Sequence, residues 1–194
     1  MTRHIVLAVS VAALSLTLAS TAHAQAQAMP HFGISAGASI PESTFGEAVN
    51  TGYNVNAMLN VTVPLSPLGF RVEGGWNRFD LSNANGNGNV RIANGSANVV
   101  LIPAAVMTAK PYLIAGIGAY NVKTSVSDLV TPLSSSGAFS RENSATRVGF
   151  NGGLGLMFGL GPVGTMLEAR YVTVNGKNGS GSLTYIPVSV GITF

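Results

Sequence analysis

The stretch Tyr53-Asn54-Val55-Asn56-Ala57-Met58-Leu59-Asn60-Val61-Thr62-Val63 decides the fold. Every odd position is apolar, and the even positions are Asn, Asn, Met, Asn and Thr. A strand puts alternate side chains on opposite faces, so this segment has one greasy and one polar side. Helical spacing would mix the two sets. The same alternation recurs along the chain. Phe70, Val72, Gly74 and Trp76 oppose Arg71, Glu73, Gly75 and Asn77. Val148, Phe150, Leu154, Leu156 and Phe158 oppose Arg147, Gly149, Asn151, Gly153, Gly155 and Met157. Leu167, Ala169 and Tyr171 oppose Glu168 and Arg170, and Ile186, Val188, Val190, Ile192 and Phe194 alternate with Tyr185, Pro187, Ser189, Gly191 and Thr193. Ile34, Ala36, Ala38 and Ile40 oppose Gly33, Ser35, Gly37 and Ser39.

Two further strands are less regular. Asn98 to Met107 is apolar on both sides and contains Pro103; Lys110 to Val122 fits either phase. Placing Leu113, Ala115, Ile117 and Ala119 outward sends Gly116 and Gly118 into a crowded interior, and that phase is preferred. Pro103 and Pro187 each remove a ladder donor, which predicts bulges or weak pairing.

The links between strands alternate in length. Pro64–Gly69, Thr108–Pro111 and Gly159–Pro162 are short, whereas Pro41–Gly52, Asp80–Asn89, Lys123–Ala145 and Asn175–Ser182 are long and polar. The order long, short, long, short, long, short, long joins eight strands. Transmembrane barrels have an even strand number, short turns on one side and long loops on the other. The expectation is an all-β, antiparallel up-and-down transmembrane barrel of about eight strands, with both termini on the periplasmic side.

Composition agrees. Charged residues are 9% of the chain, against about 25% in ordinary soluble domains, yet long apolar blocks are lacking. Such a chain suits a wall with lipid on one side and a polar lumen on the other. At the N-terminus, Arg3 and His4 precede an apolar run from Ile5 to Leu18, and Ala22-His23-Ala24 is a small-x-small tripeptide. These mark a secretory signal peptide over 1–24. The run is shorter than the about 20 residues that a spanning helix needs. Residues 25–30 form a short periplasmic lead and 31–194 the barrel, roughly 170 residues remaining in all after the signal, enough for one domain. The net charge of +3 is scattered, which argues against nucleic acid as a partner. Cysteine is absent.

The inward faces collect Arg71, Glu73, Arg147, Glu168 and Arg170. An eight-stranded interior is just wide enough to be filled by side chains, and isolated buried ions are costly. The five are therefore expected to form one paired network that plugs the lumen, with a gated ion path as the sharper alternative. Tyr53, Trp76, Tyr112, Tyr120 and Tyr171 lie near expected strand ends, where amphipathic rings suit membrane interfaces; they are read as an aromatic girdle. Catalysis finds little support. The sole histidine after the signal is His31, so neither a His-dependent hydrolase nor a metal cluster is expected, and no cofactor is implied.

The last strand, Tyr185 to Phe194, ends on an aromatic residue after alternating apolar ones, and Pro111-Tyr112-Leu113-Ile114-Ala115-Gly116-Ile117-Gly118 and Leu167-Glu168-Ala169-Arg170-Tyr171 look like inner strands of small barrels. In these segments the chain resembles the OmpA/OmpX-like superfamily of outer-membrane barrels, over residues 31–194. The resemblance implies a bacterial outer-membrane location. It also implies recognition by the barrel assembly machinery through Tyr185, Val190, Ile192 and Phe194. Outer-membrane lipid and lipopolysaccharide become the expected surroundings, and the barrel a monomer. It says little about role, because one fold hosts many functions. The expected role is structural or surface-interacting through the external loops. The alternatives are a narrow porin-like channel and a secreted, soluble lipocalin-like barrel.

Overall fold

The computed structural model describes residues 29–63, 65–82, 87–103, 109–127, 141–160, 163–176 and 181–194. Eight strands are joined in sequence order: β1 (Met29–Glu42), β2 (Gly52–Thr62), β3 (Leu68–Asp80), β4 (Asn87–Leu101), β5 (Ala109–Ser127), β6 (Arg141–Leu160), β7 (Val163–Val174) and β8 (Leu183–Thr193). Each is hydrogen-bonded antiparallel to its neighbour, and β1 pairs with β8 from Gly33↔Thr193 to Glu42↔Thr184, so the sheet closes. Phe32 and Phe194 exchange backbone hydrogen bonds of 3.0 and 2.9 Å at the end of this seam. Closure matters because every backbone donor facing hydrocarbon must find a partner within the sheet.

Met29, Phe194 and the strand ends at Thr62, Leu68, Leu101, Ala109, Leu160 and Val163 share one rim, the terminal end; the other rim is the loop end. At the terminal end Leu65 forms the β2–β3 turn with φ of 62°. That is a left-handed conformation on a fully exposed, non-glycine residue.

The boundaries differ from the sequence expectation in four places. β1 begins at Met29, inside the segment read as a lead, because Met29 and Pro30 pair with Thr62 and Val61. Most of the first long link is also ordered: β1 runs on through Pro41, and a short helix, α1 (Ser43–Ala48), follows. β4 lies at Asn87–Leu101 rather than Asn98–Met107, so Pro103 falls after the strand instead of bulging it. The third long link is shortened from both sides, since β5 continues to Ser127 and β6 starts at Arg141. Pro187 does weaken its ladder. The β7–β8 register stops at Ala169↔Val188 and resumes unshifted at Val172↔Tyr185, so pairing lapses without a bulge. The signal segment, the Asn83–Gly86 part of the second loop and Ser134–Gly137 lie outside the described residues.

Over the middle of the barrel the outer face is apolar: Phe32, Val55, Val72, Ile117, Phe150, Leu154 and Val190 are all exposed. On β3 this run extends from Leu68 to Trp76, matching the about 9–11 residues a tilted strand needs to cross a bilayer. Near the loop end the pattern inverts. Arg78, Arg91, Asn121, Lys123, Ser144 and Thr146 take the outward positions, while Phe79, Val90, Ile92, Val122, Val172 and Val174 are buried inside.

Candidate functional site

The lumen is layered. At mid-height, β3 contributes Arg71 and Glu73 and β7, across the barrel, contributes Glu168 and Arg170. Arg71 Nη1 donates to Glu168 Oε2 at 2.6 Å. Arg170 Nε donates to Glu168 Oε1 at 2.5 Å, and its two terminal nitrogens grip Glu73 at 3.1 and 2.5 Å. The fork-to-fork geometry of the last pair is the strong form of such contacts. Two positive and two negative side chains thus make a neutral quartet, all four buried, with Arg71 at 0% exposure. Neighbours extend its hydrogen bonds: Tyr112 Oη donates to Glu168 Oε2 at 2.6 Å and Arg71 Nε donates to Asn60 Oδ1 at 2.6 Å, while Arg71 Nη2 is buried without a partner among the described residues. The Arg71 guanidinium also lies 5.5 Å from the centre of the Tyr112 ring. Gly155 makes this arrangement possible. It stands opposite Tyr112 on β6, and any Cβ there would overlap the Tyr112 ring.

Arg147 is not a member. Glu168 is opposite Gly155 on β6, and Arg147 is roughly 26 Å further along that strand at about 3.3 Å per residue. There it is opposite Tyr120, and it forms no ion pair with another described residue. The parity argument placed it inside; only the register could place it at the wrong height.

Between the quartet and the loop end lies a neutral polar belt. Ser39 Oγ donates to Asn77 Oδ1 at 2.8 Å, Ser189 Oγ donates to Asn54 Oδ1 at 2.8 Å, and Asn56 Nδ2 donates to Ser35 Oγ at 3.2 Å. Above it is an apolar plug of Phe45, Val49, Phe79, Ile92, Tyr120, Val174 and Tyr185 with their neighbours. Phe79 meets Phe45 edge-on at 5.1 Å and Tyr185 at 5.5 Å. Phe45 is the buried residue of α1, a helix with no side-chain cap. So short a helix is held by packing and not by its own turn energy. Asn50 N donates to Asp80 O at 2.8 Å and Ser82 N to Ala48 O at 3.0 Å, which ties the first loop to the second over the mouth.

The space left is uneven. Beside the quartet it amounts to about 20 Å³, lined by Glu73, Asn151, Glu168 and Arg170, roughly one water in size. At the terminal end a vestibule of about 290 Å³ opens between Asn60, Lys110, Met157 and Thr193. The quartet stands between this vestibule and the loop end, and the two cavities share no lining residue.

The expected aromatic girdle divides. Tyr53, Trp76 and Tyr171 face outward, and Tyr53 meets Trp76 edge-on at 6.1 Å. Tyr112 and Tyr120 do not belong to it, being buried in the lumen at 2% exposure. The phase preferred for β5, with odd positions outward, already required these even positions to point inward. Tyr120 reaches into room left by Gly149, where a Cβ would come within 2.8 Å of its ring. Of the residues read as an assembly signal, Val190, Ile192 and Phe194 share the outer face of β8, whereas Tyr185 belongs to the plug.

Residues 11–194 match the family model described as outer membrane protein beta-barrel domain. The chain belongs to this family. It is therefore a bacterial outer-membrane barrel, and the soluble lipocalin-like alternative falls away, in keeping with the apolar outer face. Among solved structures, it is similar to Neisserial surface protein A, at 16% identity and a TM-score of 0.65, over 86% of this chain and 97% of that one. A major outer membrane protein from Thermus thermophilus superposes comparably, at 12% identity and a TM-score of 0.62, covering 86% of this chain and 99% of the other. At such identities the likeness concerns the fold. No curated protein sequence matches.

Proposed function

We propose that this family member is a sealed, monomeric barrel that acts by surface contact, through the part of β4–β6 that projects beyond the bilayer. Both termini are then periplasmic, following export with a signal peptide cleaved after Ala24 and insertion by the assembly machinery through β8. The observation that carries the reading is the length of β5 and β6, 19 and 20 residues against 11 in β2 and β8. The surplus has no use in crossing the membrane. It forms a three-stranded blade in which Asn87 pairs with Ser127 and Val126 with Arg141. On its other side, β6 acquires β7 as a ladder partner only from Gly149↔Val174 onward. Asn175 N donates to Val148 O at 3.0 Å, so among the described residues the stretch Arg141–Arg147 offers one row of ladder groups to an incoming extended segment, the geometry by which sheet edges bind partners. The filled lumen supports this reading over the porin-like one, because neither the quartet nor the plug leaves solute-sized space.

The test compares cells displaying the full chain with cells displaying a variant in which a two-residue turn joins Thr124 to Asn143. The variant is expected to keep the heat-dependent gel mobility of a closed barrel and to lose attachment to surfaces and to other cells. Equal attachment by both would reject the proposal.

A further inference from the structure

The outer wall carries a second arrangement that surface contact through the blade does not use. The ladder sets Tyr53 opposite Arg78, Arg78 opposite Arg91, and Arg91 opposite Lys123. Three cationic side chains thus stand side by side on the outer faces of β3, β4 and β5. Like charges directly opposite one another destabilise a sheet. For Arg78 and Arg91 the offset is weak. Asp80, itself well exposed, is 3.5 Å from Nε of the partly buried Arg78, and Arg91 Nε donates to the neutral amide oxygen of Asn89 at 2.8 Å.

Towards the terminal end, the same wall hollows out. Trp76 precedes Arg78 by one step on the outer face of β3, and Gly74 precedes Trp76. Gly74 lies between Ala57 and Gly95 on the neighbouring strands. A Cβ at Gly95 would meet nothing, and one at Gly74 only Asn94 O at 4.0 Å. Packing within the chain therefore requires glycine at neither position. The result is an open groove of about 790 Å³, floored by Ala36, Ala57 and Gly74 and walled by Ile34, Val55 and Trp76. Trp76 joins the two features, since it bounds the groove and touches Tyr53, the residue opposite Arg78.

The geometry points to a binding site for a phosphate-bearing anionic lipid of the loop-end leaflet. Its phosphate lies against Arg78, Arg91 and Lys123 on β3 to β5, and one acyl chain lies in the groove, which begins beside Trp76 and runs from β3 across β2 and β1 to Val190 and Ile192 of β8. Guanidinium groups suit this, because their planar forks match phosphate oxygens. Charge complementarity selects the lipid over a second copy of the chain, which would bring two cationic rows together across the contact. The inference rests on the membrane placement of the barrel and is independent of the β6 edge.

Native mass spectrometry of the protein, refolded in neutral detergent micelles, tests it. The probes are diphosphorylated lipid A, phosphatidylcholine and inorganic phosphate. Lipid A is expected to be retained at concentrations at least tenfold lower than phosphatidylcholine. Each cation near an anionic headgroup is worth about fivefold in binding, so the combined Arg78→Gln, Arg91→Gln, Lys123→Gln variant should lose of order a hundredfold. Gly74→Leu, which fills the groove and leaves the row intact, should weaken lipid A and leave inorganic phosphate unchanged. The chain with the shortened β5–β6 hairpin keeps row and groove, and should hold lipid A as the full chain does whatever its attachment. Gel mobility before and after heating confirms closure of each variant. Retention of lipid A by either substituted variant at the full chain's affinity overturns the site, as does displacement of lipid A by inorganic phosphate at equal concentration.

Discussion

The two halves of this barrel wall obey opposite rules. Around the quartet, apolar side chains face out and polar ones face in; around the plug, polar side chains face out and apolar ones face in. The strands are continuous through both, so the change comes from the solvent outside and not from the backbone. In hydrocarbon the outer face must be apolar, and the lumen receives the hydrogen-bonding groups. Beyond the bilayer, water takes the outer face and the inside becomes an ordinary core. The switch runs between Trp76 and Arg78 on β3 and between Ala93 and Arg91 on β4. It marks the loop-end edge of the membrane as sharply as the aromatic residues do.

Substitutions can break that contrast, and the largest effect falls on the quartet. Glu168→Ala removes the carboxylate shared by Arg71 and Arg170. The expected cost is about 3–5 kcal/mol, the range for stranding a buried charge, read as a lower urea midpoint in lipid vesicles. Arg147→Gln should leave the midpoint almost unmoved, and an equal loss in both variants would mean that the five charges act together after all. In the plug, Phe79→Ala should cost about 3 kcal/mol through lost packing. Neither variant alone should conduct in planar bilayers, because each leaves the other seal intact; steady conductance by the Phe79 variant would revive the porin-like reading. The inversion itself is tested by placing one arginine on either side of the switch. Val72→Arg should cost about 2 kcal/mol or more, and Asn121→Arg about 0–1. Equal costs would move the membrane edge. The smallest effect lies at the terminal rim. Leu65→Gly relieves a left-handed conformation and should add about 1 kcal/mol, measurable as a higher melting temperature of the folded band on gels.

The inversion also explains which features were legible in the sequence. Tyr53–Val63 lies within the membrane band, where the outside is uniformly apolar, and its alternation could be read directly. Glu73, Arg71, Glu168 and Arg170 followed from the same parity. β4 escaped because its first half obeys the reversed rule: Arg91 and Asn89 point out while Val90 and Ile92 point in, which resembles polar coil when a greasy outer face is expected. Tyr112 and Tyr120 were misplaced by reasoning from their distance to strand ends when parity on their own strand gave the answer. Arg147 and the Arg78–Arg91–Lys123 row depend on cross-strand register, which alternation along one strand does not encode.

The quartet joins β3 to β7, residues 97 positions apart in the chain. Contacts between adjacent strands can form as each hairpin is laid down, whereas these can form only when the far wall arrives. An unfinished sheet would hold Arg71 and Glu73 away from the partners that neutralise them, in a setting hostile to exposed charge. The ion pairs therefore act as a latch on the completed cylinder, penalising every arrested stage of insertion and rewarding the last one.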